Sequence, residues 1–242
     1  MEAIQIANVI VALAMLAMGI ACVYFAVTLR DNGVYPVTLN GNTLYTMTTG
    51  DVIGMLATFC FLTCAFHCTY AAISETDMIQ IDSGKNKFRW MEYSLTASLM
   101  AVSIALLANT SQLSELMCVG VGTGLTMLIG LAVEKGGSSR ALMTSMGWIL
   151  ISLVWAVIWM NFSDVVTEVP GFVVAMTAVT MVLFLSFGFV QLAQVVRGYQ
   201  SNRKAEYAYV SLSALSKTFL VIIVLVGMVA RNGDQPVPSP PP

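Results

Sequence analysis

Seven apolar stretches, each long enough to cross a bilayer, divide this 242-residue chain almost end to end. They fall at about residues 4–29, 51–73, 88–108, 114–133, 141–162, 170–196 and 207–230. About 20 predominantly apolar residues suffice for one helix to span the hydrocarbon core. Inside a bilayer the backbone amides must be satisfied within the protein, so such runs cross as helices. Only 10% of the residues are charged, where a soluble domain carries roughly a quarter. The chain therefore reads as an all-α integral membrane protein, a seven-transmembrane-helix bundle over residues 1–231. A Pro-rich tail over 232–242, ending PSPPP, is expected to be disordered. The first stretch has no basic leader and exceeds the apolar run of a signal peptide, so it is expected to be a retained first helix.

Most connections are short. The exception, residues 30–50, contains VYPVTLNGNTLYTMTT, in which apolar and polar residues alternate around Asn40-Gly41. That dipeptide in that setting is a strong hairpin signal, and a small β-hairpin is expected over 34–48. The loops on the N-terminal side hold Lys85, Lys87, Arg89, Lys135, Arg140, Arg197, Arg203 and Lys204, against Arg30 and Arg231 opposite. Eight against two places the N-terminus in the cytoplasm and the C-terminus and hairpin outside. With a net charge of −2 and no basic patch, nucleic acid is not an expected partner; membrane lipid is.

Lys217 is the one charge between Tyr207 and Ala230, in SALSKTFLV. An ammonium near the bilayer midplane costs several kcal/mol, so it is either paired with a buried carboxylate or covalently used. Glu92, in RWMEYS at the start of the third helix, is the best-placed carboxylate, since both helices start on the cytoplasmic side. The depths agree only roughly. Lys217 lies eleven residues past Glu206, about 16 Å along the helix axis at 1.5 Å per residue, whereas Glu92 reads as shallower. An interfacial Glu92–Arg89 pair is the alternative.

Seven helices, a lysine in the seventh and Arg89-x-x-Glu92 opening the third resemble a microbial-type rhodopsin. RWMEYSLTAS, SALSK, the inverted orientation and the hairpin after helix one are more closely similar to a heliorhodopsin, over the whole helical chain. The resemblance implies all-trans retinal carried by Lys217 as a protonated Schiff base, with Glu92 as counterion and Ser213, Arg89 and Tyr93 around it. A cation in low dielectric needs a fixed anion beside it to stay protonated. The resemblance implies a polyene slot formed by Phe184, Phe187, Gly188, Gln191 (where tryptophan is usual) and Trp155. Trp148 and Trp159 share the Trp155 face at helical spacing. His67 and Glu206 are candidates for a proton path. A plain interhelical hydrogen bond for His67, and solvated helix ends for Glu206 and Glu134, are the alternatives.

Retinal proton pumps place an aspartate four residues before the lysine and a carboxyl donor eleven after the counterion; here those positions are Ser213 and Ser103. The expected function is thus a light-sensing photoreceptor with a slow photocycle, a signalling or regulatory output and a cytoplasmic partner, not a conventional pump. A light-gated passive proton channel is the alternative. In a third reading no retinal binds and Lys217 is only an ion-pair partner. The resemblance also implies a homodimer through the hairpin and helices. No nucleotide loop, HExxH or nucleophile elbow points to an enzyme. Cys60, Cys64 and Cys68 on one helix cannot converge on a metal, and free thiols are expected throughout.

Overall fold

The computed structural model describes residues 3–29, 33–72, 86–137, 139–196 and 203–233. Seven helices in it are long and apolar enough to cross a membrane. They are α1 (Ala3–Thr28), α2 (Thr49–Ala71), α3 (Lys87–Leu107), α4 (Leu113–Lys135), α5 (Arg140–Ser163), α6 (Gly171–Val196) and α7 (Arg203–Gly233). Strands β1 (Val34–Leu39) and β2 (Asn42–Thr48) lie between α1 and α2.

Two helix starts are set by polar caps that hydropathy does not register. Thr48 and Asp51 form a reciprocal capping box on α2: Thr48 Oγ1 accepts from the Asp51 amide at 3.2 Å, and Asp51 Oδ2 accepts from the Thr48 amide at 2.7 Å. The Asn86 side chain accepts the Arg89 amide at 3.1 Å and starts α3. The seventh helix begins at Arg203 rather than at 207, because Lys204, Ala205 and Glu206 are good helix formers that continue the apolar run into a polar first turn. At its other end α7 includes Asn232 and Gly233, the first two residues of the expected tail. The tail from Asp234 on, together with Ile73 and the basic residues Arg30, Lys85 and Arg197, lies outside the described residues.

The hairpin pairs antiparallel from Val34↔Thr48 to Leu39↔Asn42, with one irregularity at Val37/Thr38. Asn40 and Gly41 both take positive φ, 51° and 80°, as a two-residue turn matching the strand twist requires. The Thr38 amide donates to Ser111 O at 2.8 Å, tying β1 to the α3–α4 connection. The hairpin therefore caps the end of the bundle opposite the N-terminus.

Each helix contributes fully buried side chains to one core: Met15, Phe59, Ile104, Val119, Ile158, Met176 and Leu220. Packing of this kind, rather than removal from water, is what holds helices together in lipid. Gly130 of α4 lies directly against the Trp90 indole of α3, where any side chain would collide with the ring. A second, aromatic cluster of Trp90, Tyr93, Met127 and Tyr209 fills the bundle toward the N-terminal end. Lys217 borders it.

Candidate functional site

Lys217 on α7 and Glu92 on α3 are 2% and 1% exposed. Lys217 Nζ donates directly to Glu92 Oε1 at 2.5 Å. The rough depth agreement read from sequence thus ends in contact, without water between the two groups. The pair has further neighbours. Tyr70 of α2 donates a long hydrogen bond of 3.4 Å to Glu92 Oε2. His67 Nε2, one turn earlier, is 3.9 Å from Glu92 Oε1. The Tyr93 ring lies under the amine, its centroid 5.5 Å from Nζ, and its hydroxyl donates to Tyr209 O at 3.0 Å. Ser213, one helical turn before Lys217, is buried on the same side.

One cavity abuts Lys217, and a second continues from it among α4, α5 and α6. The nearer is lined by Tyr93, Thr96, Met100, Ser213 and Lys217 itself, with Met127, Phe184 and Phe187. The last three also line the next, which continues past Ile151 and Trp148 to Gly188 and Gln191. The Gln191 amide closes the far part by donating to Gly130 O at 3.1 Å. Gly188 holds no free space of its own: a methyl there would lie 2.8 Å from Trp148 Cζ2. Trp155 meets Phe184 edge-on at 5.6 Å, in the wall behind the slot.

A third cavity lies on the other side of the pair and is lined mostly by polar residues. Asn8, His67, Tyr70, Asn86, Arg89, Glu92 and Glu206 line it. Arg89 lines this cavity together with Glu92 but does not form the alternative ion pair with it. Its guanidinium bonds Glu206 of α7 and Glu134 of α4, and lies 4.0 Å over the Tyr209 ring. Glu134 and Glu206 are accordingly not solvated helix ends; they are 7% and 3% exposed. Removing one member of a buried ion pair costs about 3–5 kcal/mol, because the remaining charge is stranded. Arg89→Leu is therefore expected to lower the midpoint of thermal unfolding in detergent sharply, and adding Glu134→Gln and Glu206→Gln to recover most of it.

The family profile of the heliorhodopsins matches residues 1–229. The chain belongs to the heliorhodopsin family. As such it is a retinal photoreceptor, and its backbone follows the microbial-rhodopsin fold. A light-driven proton pump from Leptosphaeria maculans superposes with a TM-score of 0.72 at 15% identity, over 95% of this chain and 97% of that one. Acetabularia rhodopsin I gives 0.73 at 14% identity, over 96% of both chains. The transmembrane domain and linker of the Salpingoeca rosetta rhodopsin phosphodiesterase gives 0.71 at 12% identity, over 97% of this chain and 73% of that one. At such identities the likeness concerns fold alone. No curated relative matches the chain.

The residues present in this heliorhodopsin fit retinal. Among the described residues a single buried amine opens onto a mostly apolar slot, a carboxylate faces it, and Trp155 Nε1, in the wall behind the slot, is buried without a hydrogen-bond partner. Three polar residues of the cavity beyond the pair were not singled out by sequence reasoning: Asn8, Tyr70 and Asn86. Asn8 carried a signal, as a carboxamide inside the apolar first helix. Tyr70 and Asn86 carried none, since a helix-end tyrosine and asparagine are ordinary at a membrane boundary.

Proposed function

We propose that Lys217 is the attachment lysine for all-trans retinal, that Glu92 is the counterion of its protonated Schiff base, and that the protein is a light sensor with a slow photocycle. The carrying observation is the direct Lys217–Glu92 contact at the mouth of an apolar slot. Retinal, when bound, supplies light absorption and isomerisation. The chain supplies the rest. Glu92 fixes a negative charge at one end of the slot and so favours positive charge on the Lys217 nitrogen. Phe184, Phe187 and Met127 give the slot its apolar walls and exclude water from it. Tyr70 and His67 place polar atoms beside Glu92 on the side of the polar cavity, toward the end proposed to be cytoplasmic. A proton leaving the Lys217 nitrogen has its acceptors there and not in the apolar slot.

Ser213 and Ser103 stand where pumps carry carboxyls, which favours a sensor, with a signalling partner at the cytoplasmic face. The decisive test is a visible spectrum of membranes given all-trans retinal, with and without hydroxylamine. A hydroxylamine-bleachable band is expected; a spectrum that stays flat would refute the reading. Voltage clamp under illumination then separates the outputs: no current for a sensor, and a current reversing with the proton gradient for a channel.

The sensor is further proposed to be a homodimer through the hairpin. Val34, Leu39, Leu44 and Tyr45 of the hairpin are 41–66% exposed, a set of apolar side chains at the end of the bundle that a second copy would cover. Replacing residues 34–48 by a short Gly-Ser link is expected to halve the protein mass measured in detergent by light scattering, and an unchanged mass would remove the hairpin from that role.

A further inference from the structure

Asn8 is 6% exposed on α1, beside the only histidine of the chain. Its Nδ2–H donates to Ile4 O, one turn earlier, at 2.9 Å. A backbone carbonyl can only accept, so the amide nitrogen must face it, and this fixes which way the carboxamide points. Oδ1 then faces His67 Nδ1 at 2.7 Å. An amide oxygen also only accepts, so Nδ1 must carry the hydrogen of that bond. A neutral imidazole has a single N–H. Nε2 is therefore left with its lone pair, buried and without a hydrogen-bond partner among the described residues, 3.9 Å from Glu92 Oε1.

The charged and titratable groups facing His67 come from three helices. Tyr70 is on its own helix. Arg89, Glu92 and Tyr93 are on α3, and Glu206 and Lys217 are on α7. Arg89 is engaged by Glu134 and Glu206, and Glu92 by Lys217. Nε2 is thus a free nitrogen acceptor beside the pair.

We propose that Asn8 is a positioning residue that locks His67 in the Nδ1–H tautomer, keeping an unprotonated Nε2 turned toward the Glu92–Lys217 pair to receive the proton released there. The first half stands on hydrogen-bond direction alone, and the second rests on the retinal reading. In the transfer, the Lys217 nitrogen loses a proton and becomes neutral, Nε2 gains it and the imidazole becomes a cation, and Glu92 stays ionised between them. The Nδ1–H···Oδ1 bond persists throughout and becomes charge-assisted, which roughly doubles its strength. No ring flip is needed.

Because the chain has one histidine, nitrogen-15 NMR of histidine-labelled protein reports His67 without assignment. In the retinal-free protein the parent is expected to show the Nδ1–H signature. Asn8→Leu, similar in size and set in an apolar helix, is expected to convert it to Nε2–H. Asn8→Asp, which restores an acceptor oxygen, is expected to return it to a form protonated at Nδ1. An Nε2–H parent, or an Asn8→Leu variant with an unmoved tautomer, overturns the proposal. In the pigment, flash-induced proton arrival at the imidazole, followed by infrared difference spectroscopy, is expected to slow at least about tenfold in Asn8→Leu, the factor for one lost hydrogen bond to a charged group. An unchanged rate overturns the transfer role. The tautomer measurement needs no retinal, so a parent that forms no pigment overturns the retinal reading and leaves the tautomer lock tested independently.

Discussion

Lys217→Arg is expected to yield a folded protein that stays colourless with all-trans retinal. Arginine keeps a cation beside Glu92 and can bond a carboxylate through its fork, so the buried pair survives. Its guanidinium does not condense with an aldehyde under these conditions, so the covalent link is lost. Lys217→Ala is expected to be equally colourless, but it also strands the Glu92 charge at a site 1% exposed and costs about 3–5 kcal/mol of stability. The comparison therefore separates the chemistry of the amine from its charge. A visible band in the arginine variant, measured after gel filtration confirms an intact fold, would show that the chromophore is attached elsewhere.

Glu92→Gln carries the second large effect. The neutral amide keeps the shape of the side chain and removes the anion that stands 2.5 Å from the amine. With less negative charge fixed at that end, positive charge spreads further along the polyene, and the visible band is expected to move to the red. The protonated form also loses its partner. At 1.36 kcal/mol per unit, the roughly 3–5 kcal/mol of a broken buried pair amounts to a loss of the visible band about two to four pH units lower than in the parent. The sign follows from charge: an anion favours the protonated nitrogen, so its removal makes deprotonation easier and brings bleaching to lower pH. A pH titration followed by absorbance checks this. Superimposable titrations of parent and variant would remove Glu92 from the counterion role.

The seven helices were legible because lipid leaves few alternatives to a long apolar run, and the hairpin because Asn40-Gly41 specifies its own turn. The contact of Lys217 with Glu92 was legible as chemistry, since a lone midplane cation demands an anion, but not as depth. Counting from Glu206 says nothing of how far α7 is shifted along α3. The partners of Arg89 were missed for a related reason. Its spacing to Glu92 is three residues on one helix, which suggests a local pair, while its real partners lie 45 and 117 residues away on other helices. Glu134 and Glu206 read as solvated because each sits beside a lysine at a helix end; Lys135 and Lys204 are exposed, whereas the adjacent or nearby carboxylates turn inward. Side-chain direction at a helix terminus depends on helix rotation, which a weakly amphipathic membrane helix does not announce.

The Arg89 cluster also grades the stiffness of the bundle at that end. Drawing α3, α4 and α7 apart there would part a guanidinium from two carboxylates, at about 3–5 kcal/mol for each charge stranded. Helix α6 joins these helices through two neutral hydrogen bonds, one that the Tyr209 hydroxyl donates to Gln194 Oε1 at 2.8 Å and one that Gln191 Nε2 donates to Gly130 O at 3.1 Å. Each such bond is worth about 0.5–1.5 kcal/mol. Thermal agitation alone opens latches of that size often, and so the wall bearing Phe184 and Phe187 can yield while the three clasped helices keep their places.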